Sequence, residues 1–194
     1  MTSTDTTRYV YVGCGSAKRE LDGHPNHSEN QYVAADLYTS NYFKLKREYA
    51  ERMGRTWSIL SAKYGLIDPW ALCPPYDVRL TASGFAGEDD ALFDTIDEWG
   101  QSVMESIEAE ITYAERSISE DTVDEIVVLA GKNYVNPIRD ELEELGTEYD
   151  VDVRFPFDKT NGIGEQMGWL KENTDTSLSV RTRYAKLFHD EVEA

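Results

Sequence analysis

The chain has 194 residues and carries 37 acidic against 19 basic side chains, a formal net charge of −18. Its 40% of aliphatic and aromatic residues is enough to bury a core at a length suited to one domain, which excludes collagen-like, low-complexity and disordered chains. There is no apolar run of membrane length and the start, Met1 to Thr7, is polar, so a cytoplasmic setting without a membrane partner is expected.

Four short apolar runs predict strands: Arg8 to Gly13, Thr56 to Ser61, Glu125 to Ala130 and Val151 to Phe155. They are rich in Val, Ile and aromatics, and the first and third alternate little, as strands covered on both faces do. Between them the spacing predicts helices. Asn41 to Met53 carries Phe43, Lys46/Arg47 and Ala50 at helical intervals, with Ser40 as N-cap and Gly54 as stop. A longer helix is expected from Glu88 to Ala114, with Leu92, Ile96, Trp99, Val103 and Ile107 as its apolar stripe. Asn133 to Leu145 (closed by Gly146), Ile163 to Glu172 and Leu178 to Val192 complete the set. Strands alternating with helices predict an α/β fold: a single three-layer domain over residues 1–194, its mostly parallel sheet flanked by helices. Residues 1–6 are expected to be mobile and 20–35 to form a long loop.

Three predicted strands each run into a loop of small and polar residues. The first loop is Gly13-Cys14-Gly15-Ser16-Ala17-Lys18, the second Ser61-Ala62-Lys63-Tyr64-Gly65, the third Ala130-Gly131-Lys132-Asn133-Tyr134. In a parallel sheet such loops meet at the carboxyl edge, where open α/β sheets bind ligands. Three lysines gathered there repel one another unless an anion or a carboxylate sits among them, so a small anionic ligand (a phosphate, a carboxylate or a polarised carbonyl) is the expected guest. The plainer alternative is that each lysine faces solvent just past a turn. Gly13-Cys14-Gly15 lacks the third glycine of a dinucleotide fingerprint, and no Gly-Lys-Ser/Thr exists for a phosphate loop. No cofactor is therefore expected.

Cys14, between two glycines with Lys18 close by, is either a nucleophile or a small buried hydrophobe. Cys73 is expected to be structural. Neither has metal-site spacing, and His24, His27 and His189 are too few and too scattered, so no metal is expected. Around LSAKYGLIDP, Gly65 suits a positive φ, and Tyr76 and Asp77 are placed to return a phenol and a carboxylate toward Lys63. The alternative there is a rigid crossover in which Asp68 and Asp77 cap turns.

These blocks carry a resemblance. Cys14-x-x-x-Lys18, Asp36-Leu37-Tyr38-Thr39-Ser40, LSAKYGLIDP with PYDVRL, VLAGKNY at 128–134 and GIGEQMGWL at 162–170 look like an uncharacterised domain family. More distantly, their order is similar to the peroxide-stress family of YaaA, which implies a YaaA-like α/β fold and a link to DNA. Cys14-x-x-x-Lys18 also resembles the lysine motif of archaeosine synthases, which implies Lys18 as a nucleophile toward a modified base. From loops and resemblance together, an enzyme acting on a nucleobase, nucleotide or nucleic acid is expected. Lys18, Cys14 and Lys63 are its candidate catalytic residues. Ser16, Tyr38, Ser40, Ser61, Tyr64, Tyr76, Asp77, Gly131 and Lys132 are its candidate ligand-binding residues.

Charge distribution suggests a competing reading. Residues 1–80 hold ten basic and nine acidic side chains, while residues 81–194 hold nine and twenty-eight. An acidic coat of this kind suits a cytoplasm of high salt, as in halophilic archaea or their viruses. The first half keeps its basic residues. Lys44, Lys46, Arg47, Arg52 and Arg55 then define the face that a non-catalytic DNA-binding or stress-response protein would turn toward phosphates.

Overall fold

The computed structural model describes residues 6–20, 31–116 and 122–176. His24, His27, His189, the expected helix Leu178 to Val192, residues 1–5 of the expected mobile start and residues 21–30 of the expected loop lie outside them.

Five strands form the main sheet. β1 (Arg8–Gly13), β3 (Thr56–Ser61), β8 (Glu125–Leu129) and β9 (Asp152–Arg154) run parallel, and β4 (Gly65–Ile67) closes one edge antiparallel to β3. The order is β4-β3-β1-β8-β9. β3 and β8 are buried along their whole length, as their unbroken apolar runs predict for strands with helices on both sides. The fold is thus α/β, with a mixed and mostly parallel sheet.

Three elements follow the expected boundaries. Helix α2 (Asn41–Met53) begins at Ser40, whose Oγ accepts a hydrogen bond from Phe43 N at 3.1 Å, and stops at Gly54. A Cβ at Gly54 would lie 2.7 Å from the Ala50 carbonyl oxygen, so the close turn into β3 needs glycine. Ser40→Ala, which leaves that N–H without its cap, should lower stability by about 1 kcal/mol in urea unfolding. β1 and β3 are the others, each matching its predicted span at both ends.

Elsewhere the structure departs from expectation. α3 (Ile96–Arg116) starts eight residues later than predicted. Leu92 is 66% exposed, and its N–H donates to the Lys63 carbonyl instead of entering a helix. The predicted helix from Asn133 is split into α4 (Lys132–Val135) and α5 (Arg139–Glu148), because Pro137 has no N–H to offer the preceding turn. Gly146 lies inside α5, where a Cβ would sit 2.5 Å from Val153 Cγ2. α6 (Ile163–Asn173) falls where predicted, one residue longer.

Short elements not foreseen wrap the carboxyl edge. β2 (Tyr32–Val33) pairs with β5 (Leu72–Cys73), and β6 (Arg79–Thr81) forms a hairpin with β7 (Gly84–Ala86). Residues 32–35 of the expected loop belong instead to β2 and to α1 (Ala34–Leu37).

The connections decide where a ligand can sit. From β1 the chain crosses through α2 to β3 on one side; from β8 it crosses through α5 to β9 on the other. The ends of β1 and β8 therefore diverge and leave a crevice at the topological switch point.

Candidate functional site

The loop after β1 borders two groups of side chains. On the β3 side, Ala17 O accepts from Thr39 N, Arg19 N donates to Leu37 O, and Lys18 bridges to Tyr38. These ties set Lys18 against two buried tyrosines. Its Nζ lies 4.3 Å from the Tyr76 ring centroid and 5.8 Å from that of Tyr38. Lys63 Nζ lies 5.9 Å from the same Tyr76 ring and 5.8 Å from that of Tyr64.

Beneath the lysines runs a hydrogen-bonded chain. Tyr38 Oη and Tyr76 Oη are 2.7 Å apart, and Tyr76 Oη is 2.8 Å from Ser61 Oγ. Ser61 Oγ accepts from the Lys63 and Tyr64 N–H groups. Its lone pairs being engaged, Ser61 donates its proton to Tyr76, and Tyr76 in turn donates to Tyr38. Burial holds both phenols well above the ordinary tyrosine range, so they serve as neutral donors and not as bases. Burial also holds the Lys18 ammonium below its ordinary value, against the opposing fields of Cys14, Asp77 and Asp89.

On the β8 side the crevice is a cleft of about 430 Å³, lined by Cys14, Tyr42, Lys46, Lys132, Tyr134 and Gln166 together with neighbouring glycines. Cys14 Sγ is 3.2 Å from Tyr134 Oη. Tyr134 packs edge-on against Trp99 with ring centroids 5.8 Å apart, and Trp99 Nε1 donates to Ser61 O at 2.8 Å. α3 thus supports the ends of both β3 and β8. Across the cleft mouth, Tyr42 Oη donates to Gln166 Oε1 and joins α2 to α6.

Residues 10–172 match a family of unknown function, DUF6884. The chain belongs to this family. No curated protein and no solved structure matches it. The DUF6884 stretch runs from within β1 to the last turn of α6 and contains every residue lining the two groups.

In this DUF6884 chain the expected site residues divide. Lys18, Lys63, Tyr38, Ser61, Tyr64 and Tyr76 come together beside β3, whereas Cys14, Gly131 and Lys132 line the cleft beside β8. Ser16 is exposed in the loop between them. Ser40 is engaged as the cap of α2. Asp77 does not return to Lys63: its N–H donates to Asp89 Oδ2 and its own Oδ2 accepts from Glu88 N, while Asp68 Oδ1 accepts from Trp70 N. Both carboxylates act as turn caps.

The expected basic face on α2 does not form as a unit. Lys46 is only 2% exposed, with Nζ donating to the Gly13 carbonyl, so it cannot reach a nucleic-acid backbone. Arg47 is paired with Asp36 and Glu51 at 2.6 Å each, and Arg52 with Glu48 at 3.2 Å. Lys44 and Arg55 are exposed. Lys46, Tyr42, Tyr134 and Gln166 were not anticipated as cleft residues. The GIGEQMG and GKNY blocks contain two of them, but nothing local to α2 marks Tyr42 or Lys46.

Among the described residues, no cluster of three or more His, Cys, Asp or Glu side chains is placed to hold a metal ion, and no helix is long and apolar enough to cross a membrane.

Proposed function

We propose that this protein is an enzyme acting on a nucleobase, nucleotide or nucleic acid, with its centre at the lysines of the carboxyl edge. The observation that carries this reading is the sharing of one tyrosine ring by two ammonium groups, Lys18 at 4.3 Å and Lys63 at 5.9 Å. Neither is ion-paired with a carboxylate among the described residues. Two ammonium groups near one ring and without a carboxylate partner leave positive charge uncompensated, and an anionic or strongly polarised group beside them would offset it. Lys18 is the group assigned to the chemistry, as nucleophile or as clamp. Its partial burial favours the neutral amine that a nucleophile requires,. Tyr76, oriented by Ser61 and Tyr38, holds the lysine over its ring and supplies no proton of its own at ordinary pH. Cys14 borders the same loop.

The competing reading is a non-catalytic nucleic-acid-binding protein similar to the YaaA family. It draws no support from α2, where one lysine is buried and two arginines are neutralised.

Mass spectrometry tests the proposal, with the purified protein measured native in ammonium acetate and then denatured, beside Lys18→Ala. The expected result is a nucleobase-containing mass retained by the wild type and lost in the variant. An unliganded wild type, indistinguishable from Lys18→Ala and shifting DNA only at moderate salt, would replace it with the binding-protein reading.

A further inference from the structure

The cleft between the ends of β1 and β8 has a floor that the lysines above do not explain. Lys46 reaches it from α2, its side chain only 2% exposed while lining the cleft. It donates to Gly13 O and stands 4.6 Å from the Tyr42 ring centroid and 5.7 Å from that of Phe43. Among the described residues no carboxylate pairs with it. An enclosed ammonium without a counter-charge is strongly unfavourable, and an apolar side chain of similar volume would fill the space at lower cost. Retained beside an open cleft, it has the character of a receptor for a negative charge.

The rim fits the same guest. Lys132 is exposed there, and a Cβ at Gly131 or Gly162 would meet nothing within 4 Å. Gly131 is not required for packing and Gly162 is held at φ 139°, which side-chain-bearing residues rarely adopt; neither carries a side chain that would cover its backbone N–H,. Gly162 precedes the eleven-residue α6, whose first turn has no side-chain cap, so that turn presents N–H donors to the cleft. The nearby acids are engaged elsewhere: Asp158 pairs with Arg139 at 2.7 Å, and Glu165 accepts from Asn161 N at 2.8 Å. No arginine lines the cleft, and its donors are single points spread around a hollow. Such an arrangement suits a tetrahedral anion with several acceptor oxygens better than a planar carboxylate, which an arginine fork would match.

We infer that this cleft is a phosphate seat, with Lys46 receiving the charge from the floor and Lys132 and the glycine amides receiving it at the rim. The ligand of the carboxyl edge is then a phosphomonoester of nucleotide size, and not a free base or a polynucleotide. This inference rests on the small-ligand reading proposed above and narrows it. A volume of about 430 Å³ lies within the range of small-molecule sites.

Calorimetric titration at fixed ionic strength in potassium chloride, with inorganic phosphate, AMP and adenosine as probes, tests it. Phosphate and AMP are expected to bind the wild type, AMP at least roughly tenfold more tightly than adenosine, about 1.4 kcal/mol. Lys46→Met should fold and lose at least about tenfold in affinity for both anions. Lys132→Ala, a surface change that leaves the core intact, should weaken both by a smaller factor. Phosphate binding that survives both substitutions overturns the location. No response to phosphate or AMP overturns the seat, and adenosine binding as tightly as AMP in that experiment would do so while sparing the nucleobase reading. Phosphate and AMP binding lost in Lys46→Met, from a protein that retains no nucleobase-containing mass and ignores Lys18→Ala, would uphold the seat and remove that reading instead.

Discussion

Replacing Trp99 with alanine should lower the unfolding free energy by about 3–5 kcal/mol, the largest single-residue effect expected in this protein. Trp99 is wholly buried on α3, beneath the ends of two central strands. Its indole N–H satisfies the Ser61 carbonyl, and its ring braces Tyr134. Alanine leaves a cavity on both counts, and the surrounding sheet is too well filled to collapse into it. Trp99→Phe separates the two contributions, since it keeps most of the volume and removes only the donor. That variant should lose about 1–3 kcal/mol, the cost of an unsatisfied buried carbonyl together with a small packing defect. Urea unfolding monitored by circular dichroism measures both. A loss below about 1 kcal/mol for the alanine variant would mean that the site loops do not rest on α3, because burial of a whole indole cannot be that cheap to undo.

The second large effect is a pH dependence centred on Lys46. Burial pushes its ammonium down from the ordinary 10.5 to about 8. Between those values the unfolded chain holds a proton that the folded chain has released. The unfolded state therefore binds more protons, and stability rises with pH across that window. The gap corresponds to roughly 3 kcal/mol when fully traversed. Other groups act oppositely at the upper end. Tyr11, Tyr38, Tyr42, Tyr76 and Tyr134 are held above their ordinary value by burial. Above about pH 10 they ionise first in the unfolded chain and draw it away from folding. Cys73, also raised by burial, acts the same way from a lower pH. The contribution of Lys46 is isolated by comparing wild type with Lys46→Met in phosphate-free buffer from pH 7 to 10.5. Relative to the variant, the wild type should gain on the order of 2–3 kcal/mol over that range. A difference that stays flat would show that the lysine is solvated in the folded protein.

Lys46 also shows where a reading of the chain stops. Phe43, Lys46/Arg47 and Ala50 at helical intervals define one side of α2, and Ser40 and Gly54 mark its ends, so the helix itself is legible. Whether a lysine on that side meets solvent or a strand end depends on Gly13, which is 33 residues away. The same limit separates the lysines after the three strands. Their shared position past a strand end is visible locally. That Lys18 and Lys63 meet at Tyr76 while Lys132 faces the cleft follows from β1 lying between β3 and β8.

By itself the sequence determined the α/β class, the spans of β1, β3 and α2, and the candidate loops at the carboxyl edge. Each of these is written in neighbouring residues, as unbroken apolar runs, a capping serine, or a glycine that stops a helix. Only the tertiary structure decided the late start of α3, the pairing of β2 with β5, the use of Asp77 as a cap and the burial of Lys46. Those outcomes turn on what lies opposite a residue in space, and hydrophobic periodicity reports the face an element buries but not the partner it is buried against.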